Sequence, residues 1–515
     1  MFKGHPKGLI AAALANMGER FGFYTMMAIL VLFLQAKFGL SGKDAGLIYS
    51  VFYFSIYILA FVGGLIADRL RNYKGTIFTG IIIMAVGYVI VALPSPTPVP
   101  ESSRMAMLTL TIFGLFVIAF GNGLFKGNLQ ALVGQMYDNE KYGKLRDSGF
   151  SLFYMFINVG AIFAPFAAIG IRNWWLNNNG FTYNPDLPAL SHKYLGSGLS
   201  EEALARFEEI KASVGGAGQS LDAFATKYLD IFTTGYHYAF GIAVGAMVIS
   251  LVIYLANARK FPTVQKKAKD GTKTDAIPEM SVQEIRQRLY ALFAVFGVVI
   301  FFWFSFHQNG LTLTMFARDY TDLSGIAINL GFVTIEGAEI FQSVNPLFIV
   351  LLTPIVVGFF GWLRAKGMEP STPKKIAIGM GIAATAYLVM TLGSLGLPAF
   401  ETIDPAQDGT PLEQVQRVTP FLLIGTYLIL TIAELFISPL GISFVSKVAP
   451  PQYQGIMQGG WLGATAVGNQ LLFIGAILYE SVPLWLTWTM FVVVCVMSMA
   501  TMFFMLRWLE RITKS

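Results

Sequence analysis

Residues 419–446 read TPFLLIGTYLILTIAELFISPLGISFVS, and Glu434 is the one charged side chain among them. A helix needs about 20 mostly apolar residues to cross a bilayer, so this run is long enough. In hydrocarbon every backbone N–H and C=O must bond within its own segment. The stretch therefore reads as a membrane-spanning helix. The same reading finds eleven further runs, over 11–36, 46–68, 75–94, 105–131, 148–170, 233–257, 289–315, 339–362, 375–396, 454–479 and 484–508. Composition agrees with it. Hydrophobic residues make up 55% of the 515 and charged residues 13%, where a soluble protein carries roughly 25% charged residues. Mean hydropathy is +0.60. The expected architecture is an all-α membrane protein with twelve transmembrane helices.

Lys and Arg set the orientation, because they are retained in cytoplasmic loops. With the N-terminus inside, 24 of the 36 Lys and Arg lie in inside segments, ten lie outside, and Arg20 and Lys126 fall within helices. Both termini are thus expected in the cytoplasm, in a multi-pass protein of the cytoplasmic (inner) membrane. The net charge of +6 belongs to those loops, and no nucleic acid is needed to explain it. Met1–Lys7 is short and basic with no small-residue cleavage site after it, so the first helix reads as its own insertion signal. The single Cys495 rules out an intramolecular disulfide.

Residues 259–288 form a basic hydrophilic linker at the middle of the chain. It divides a six-helix bundle over 1–258 from another over 289–515, the two-halves layout of secondary transporters. It is too short and too polar to hold an extra helix pair. The first bundle carries an extracytoplasmic insertion at 172–232. There SEEALARFEEIKAS begins at Ser200. Ser200 suits a helix N-cap, and Glu201 and Glu202 in the first turn suit the helix dipole.

Ionisable groups within spans cost about 2.5–3.5 kcal/mol each on insertion scales and mark function by default. Helix one holds Asn16, Glu19, Arg20, Phe23, Tyr24 and Met27, largely on one face. Helix four holds Lys126. Helix five holds Tyr154 and Asn158, and helix seven His307, Gln308 and Asn309. Helix eight carries Glu336, Glu339, Gln342 and Asn345 at steps of three, and helix ten carries Glu434 and Ser438. Two cations in the first half facing an acid in the second would suit a zwitterion with a carboxylate at one end and an amine at the other. The structural alternative is that Glu19 and Arg20 neutralise each other. Gly63 to Arg69, with Asp68, has the pattern of a conformational latch. Its second-half counterpart, Gly358 to Arg364, lacks the acid. His5, His192 and His237 read as structural.

Asn16-Met-Gly-Glu19-Arg20-Phe21-Gly-Phe23-Tyr24 resembles the first-helix signature of the proton-dependent oligopeptide transporter family, Glu-x-x-Glu-Arg-Phe-x-Tyr-Tyr. Gly121 to Lys126, Phe153 to Gly160, Phe302 to Gly310, Gln342 to Pro346, Ala433 to Pro439 and Gly460-Trp461 with Gly468-Asn469 resemble its other helix motifs, in order. The Gly64–Asp68–Arg69 segment extends the likeness to the major facilitator superfamily. The resemblance implies alternating-access uptake of di- and tripeptides by a monomer, without cofactor or metal. It implies that Arg20 and Lys126 hold the peptide carboxylate, with Tyr24, Tyr57 and Tyr154 near it. It implies that Glu434 holds the amine, that Asn158 and Asn345 bond the peptide backbone, and that Ser438 and Trp461 line side-chain pockets. Four positions depart from the family pattern: Asn16 replaces an acid, Phe23 a Tyr, Met27 an Arg, and His307 an acid. Met27 and His307 together remove an ion pair, which strands no charge, whereas losing one partner would. Proton coupling is therefore expected to be absent or to run through other groups, with Glu19, His307, Glu339 and Glu434 as the titratable candidates.

Other readings predict different chemistry. A carrier of a simple anion such as nitrate leaves Glu434 without a cation to meet; a carrier of another zwitterion, or a receptor that binds peptide without moving it, fits the same residues. An enzyme needs a nucleophile–base pair or a metal cluster, and four His and one Cys show no such spacing. No phosphate-binding Gly-rich loop ending in Gly-Lys-Ser/Thr is present, so ATP is not the expected energy source.

Overall fold

The computed structural model describes residues 4–70, 72–137, 139–142, 146–262, 280–450 and 453–514. Most of the 259–288 linker and the side chain of Asp68 lie outside the described residues. Among the described residues, twelve helical segments are long and apolar enough to cross a membrane. The first six are α1 (Gly8–Phe38), α2 (Gly42–Leu70), α3 (Tyr73–Ala92), α4 (Glu101–Gln135), α5 (Arg146–Asn178) and, after the short α6 (Leu187–Gly196) and α7 (Glu201–Ser213), α8 (Leu221–Ala256). Then come α9 (Val282–Phe306) with α10 (Thr312–Tyr320), α11 (Val344–Ala365), α12 (Thr372–Gly393), the single turn α13 (Phe400–Ile403), α14 (Phe421–Val448), α15 (Gln454–Gln470) with α16 (Leu472–Ser481), and α17 (Leu484–Lys514).

Small residues set the packing. In a bilayer, helices gain little from burying apolar area and associate where backbones approach closely. A Cβ on Gly63 of α2 would lie 2.1 Å from the Gly123 carbonyl oxygen of α4. Gly63, part of the latch pattern in the sequence, is thus a packing contact between α2 and α4. Within the first half, α1 is the most buried span, packed between α5 and α8.

Several elements depart from the sequence reading. The fifth span continues to Asn178 and the sixth begins at Leu221, so the insertion is 179–220. Arg172, assigned by sequence to a loop, is fully buried. Ser200 caps α7 as expected, its hydroxyl accepting from the Ala203 N–H. The seventh span is broken: a 3₁₀ turn at His307–Gly310 separates α9 from α10. The helix-eight stripe splits, because Ala338–Ser343 is 3₁₀ and Glu336 follows a two-stranded antiparallel hairpin, Ile328–Asn329 with Thr334–Ile335. The acid missing from the second-half latch is supplied by Glu369, which bridges Arg364 at 2.6 Å and Lys375 at 2.6 Å.

The chain termini share one end of the bundle; the opposite end is called distal here. Every hydrogen bond and ion pair between described residues of the two halves lies at the distal end. Arg172 pairs with Glu339. Arg318 reaches Gln35, and Glu480 accepts from the N–H groups of Gly42 and Lys43. Arg417 pairs with Asp186 at 2.7 Å and Lys193 with Asp408 at 3.2 Å. The bundle is therefore fastened distally.

Candidate functional site

Midway along the spans, the groups singled out by sequence fall into two sets. The first lies on α1, α2, α4 and α5. Arg20 donates to both Glu19 oxygens, at 2.5 and 2.6 Å, and Asn122 of α4 adds a third bond to Glu19 at 2.7 Å. This is the neutral pair that the sequence leaves open as the structural alternative, and Arg20 is buried with it. Phe23 presents its ring face to the Arg20 guanidinium at 4.6 Å, with Tyr24 edge-on beside it. Lys126 stands apart. Its ammonium lies 4.7 Å from the Tyr57 ring centre, a cation–π contact that leaves the charge uncompensated; among described residues it makes no ion pair. Asn158 is buried and donates to the Tyr154 carbonyl at 3.2 Å, while the Tyr154 ring is half exposed. Asn16 and Met27 are buried.

The second set lies on α9, α11, α14 and α15. Asn345 donates to Glu434 at 2.9 Å and to Thr431 at 3.0 Å. Among the described residues, the Glu434 carboxylate thus meets an amide but no cation. Pro439, inside α14, cannot donate to the carbonyl four residues back, which frees the Leu435 oxygen beside Ser438. His307 hydrogen-bonds Asn469 through Nδ1 at 2.5 Å and stacks on Trp303 at 4.9 Å. Trp461 is buried, packed on Gly441 and edge-on to Phe296, so it belongs to the contact among α9, α14 and α15.

The two sets meet across the seam between the halves. Tyr24, Tyr57 and Tyr154 lie within electrostatic reach of Glu434, and Lys126 within that of Arg20, Glu19 and His307. A ladder at i, i+4 and i+8 on α2, Tyr49–Tyr53–Tyr57, runs past His307, whose ring centre is 4.8 Å from that of Tyr53. Its spacing, YSVFYFSIY from Tyr49, was the available signal for Tyr53. Glu339 is not part of this cleft, nor a partner of His307. It lies at the distal seam with Arg172, where Tyr236 also donates to it at 3.1 Å. Arg69 is exposed at the end of α2.

A family model described as the POT family matches residues 74–277 and 263–483. The chain belongs to the POT family. Peptide transporter YePEPT of Yersinia enterocolitica subsp. palearctica is 30% identical over 490 residues, covering 91% of this chain and 87% of that protein. The di-/tripeptide transporter of Lactococcus lactis subsp. cremoris is 28% identical over 487 residues, covering 91% and 89%. A crystal structure of peptide transporter POT in complex with sulfate superposes with TM-score 0.72 at 22% identity, covering 100% of this chain and 97% of that one. Another POT family transporter, in complex with 5-aminolevulinic acid, gives 0.69 at 22% identity. The twelve-helix major facilitator fold is thereby established for this POT member, a multi-pass membrane protein. The POT family is one of transporters, not of enzymes.

Proposed function

We propose that this POT member takes up di- and tripeptides across the cytoplasmic membrane by alternating access, as a monomer with both termini in the cytoplasm. One observation carries the reading: an unpaired cation, Lys126, on one half and a carboxylate without a cation, Glu434, on the other, with tyrosines between them. A zwitterionic peptide supplies both missing charges. Lys126 takes the carboxylate, with Arg20 behind it, Glu434 takes the amine, and Asn158 and Asn345 bond the backbone between. Ser438 stands where a side chain would lie. Recognition of termini and backbone admits many side chains, because every short peptide shares those groups.

The distal fastening supports an inward-facing conformation, with residues 1–258 and 289–515 rocking about the 259–288 linker. Gating at the distal seam falls to Arg172 and Glu339, since Met27 and His307 lack the charges of a first-to-seventh-helix ion pair. Asp68 and Arg69 belong to the opposite gate. Asn16 cannot titrate, so proton coupling departs from the family pattern; Glu19 and Glu339, both buried, and Glu434 are the interior acids that remain. The test is counterflow: proteoliposomes loaded with unlabelled dialanine should accumulate external labelled dialanine transiently. Binding without counterflow would mark a receptor, and counterflow by nitrate but not dipeptide would overturn the substrate class.

A further inference from the structure

The 179–220 insertion is the largest element that the proposed substrate path leaves unexplained. It is built rigidly onto the first half. Phe181, Phe207, Phe224 and Tyr228 pack edge-on or tilted with centres 5.5–5.9 Å apart. The Tyr228 hydroxyl donates to the Thr182 carbonyl at 3.0 Å, and Thr182 in turn donates to Val214 at 3.1 Å. His192 closes the join, bonding the Ala36 carbonyl at the distal end of α1 at 2.7 Å. Burial holds its imidazole below the ordinary histidine value, so the neutral ring donates there.

The surface that the insertion touches on the other half is equally fixed. Arg417 donates to the Arg318 carbonyl at 2.8 Å, and Val418 to the Tyr320 carbonyl at 2.8 Å. A capping box at Glu413–Gln416 stiffens the approach. Between these two rigid bodies run Asp186–Arg417, nearly buried on both sides, Lys193 to Asp408 and the Ala406 carbonyl, and Arg206 to the Leu412 carbonyl at 3.4 Å. Beneath them lies a cavity of about 400 Å³ on the seam, lined by Gln35, Ala36, His192, Arg318, Asp404 and Glu480.

We infer that the insertion is an electrostatic latch: α6 and α7 clasp the 404–417 loop of the opposite half and hold the distal end closed. The inference rests on the reading of two halves that move. Because both ends of the clasp are rigid, distal opening has to part these pairs and cannot be absorbed by loop flexing. Two of the three contacts are charge pairs, so the clasp is weakened by like-charge substitution and restored by reciprocal exchange.

The experiment uses the full chain in proteoliposomes, with Cys495, buried and the only cysteine, replaced by Ser. Ala36→Cys, buried and on the seam cavity, reports distal opening by its rate of reaction with a membrane-impermeant maleimide applied from the distal side. Asp186→Arg, which faces Arg417 with a second cation, should raise that rate about tenfold or more. Asp186→Arg with Arg417→Asp should return it to within about twofold of the parent. A rate unmoved by Asp186→Arg overturns the inference. Should either variant fail to fold, the Lys193–Asp408 pair, whose acid is exposed, decides: Lys193→Gln should raise the rate measurably, and no change there overturns the inference equally. A change of parent labelling with added dipeptide tests the moving-halves reading separately.

Discussion

Neutralising either member of the Arg172–Glu339 pair should shift this carrier toward its distal-open conformation. Both side chains are fully buried. Arg172 uses four of its five N–H donors: Nε bonds Asn173 at 2.9 Å, Nη2 the Glu336 carbonyl at 2.9 Å, and Nη1 Tyr236 at 3.2 Å as well as Glu339. The Tyr183 ring covers it at 4.1 Å. In Glu339→Gln the guanidinium stays in place with no anion. Removing one partner of a buried pair costs about 3–5 kcal/mol. The Gln amide oxygen still accepts a hydrogen bond, so the lower figure applies, roughly a 150-fold change in an equilibrium constant. The penalty falls on the closed state alone, because water reaches both groups once the seam parts. Spin labels at exposed Lys43 and Thr402, one on each half, read the shift by electron–electron distance measurement. The short-distance population should dominate in the parent and give way in Glu339→Gln and Arg172→Gln. It should return in the double variant, where two amides can face each other. A parent-like distance distribution in Glu339→Gln would refute the reasoning, since the pair would then not oppose opening.

Three further outcomes follow from the site and a fourth from the Glu369 cluster. Glu434→Gln should remain monodisperse yet lose dipeptide affinity by about 2–5 kcal/mol, the cost of truncating one side of a buried charge pair; calorimetry checks it. Lys126→Ala should weaken free-carboxylate peptides roughly 10- to 150-fold, the worth of a hydrogen bond to a charged group, while leaving peptide amides nearly unchanged; competition uptake with the two forms decides. His307→Gln should keep whatever gradient-driven accumulation the parent shows, because the imidazole packs on Asn469, Tyr53 and Trp303 and meets no acid among the described residues; loss of it in parent-like folded protein would make His307 the proton carrier. Hydrogen bonds from Arg364 and Lys375 hold the Glu369 carboxylate down at about 2. A depressed carboxylate contributes stability above its unfolded value near 4.3, and loses that contribution as pH falls through the folded value. The melting-temperature gap between parent and Glu369→Gln should therefore be full at pH 7 and shrink between pH 4 and 2.

The spans were legible because a bilayer imposes one requirement, about 20 apolar residues, that each run states locally. Partner identity was not, because it is set by pairs distant in sequence. Glu339 stands out in the sequence as an ionisable group within a span, but its partner Arg172 stands 167 residues away. Arg172 reads as a loop cation because the apolar run falters at Arg172-Asn173 before resuming at Trp174-Trp175. Helix-eight spacing by three suggested one face. The true cause is a 3₁₀ turn, which has three residues per turn, and beyond it the chain turns α-helical and sends Asn345 to Glu434. Glu369 was missed for a simpler reason. It lies five residues past Arg364, beyond the helix end, where no helical periodicity points to it. Arg20 and Glu19 are neighbours in sequence, and periodicity alone cannot say whether such a pair closes on itself or opens to a ligand.

The interior charges sort by topology into three kinds, and topology assigns each a different consequence. Arg20 and Glu19 belong to one helix, and Asn122, their third member, to the same half. In the proposed rocking motion that unit travels with one half, so it contributes equally to both conformations and does not drive the switch. Arg172 and Glu339 belong to opposite halves, so in the proposed rocking motion their bond exists in one conformation and is absent in the other. On that reading it sets the balance between conformations without touching a ligand. Lys126 and Glu434 also belong to opposite halves but have no charged partner among the described residues. A ligand carrying both complementary charges gains most where the two approach each other, and so draws the halves together around itself. A ligand can shift a conformational equilibrium only by its difference in affinity between states. A molecule with one charge engages one half and supplies little of that difference, whereas a zwitterion that spans both supplies it directly. The same argument explains how the first-to-seventh-helix pair could be dispensed with at Met27 and His307. Once α5 and the turn before α11 hold a pair that opening must break, a second one would only deepen the closed state.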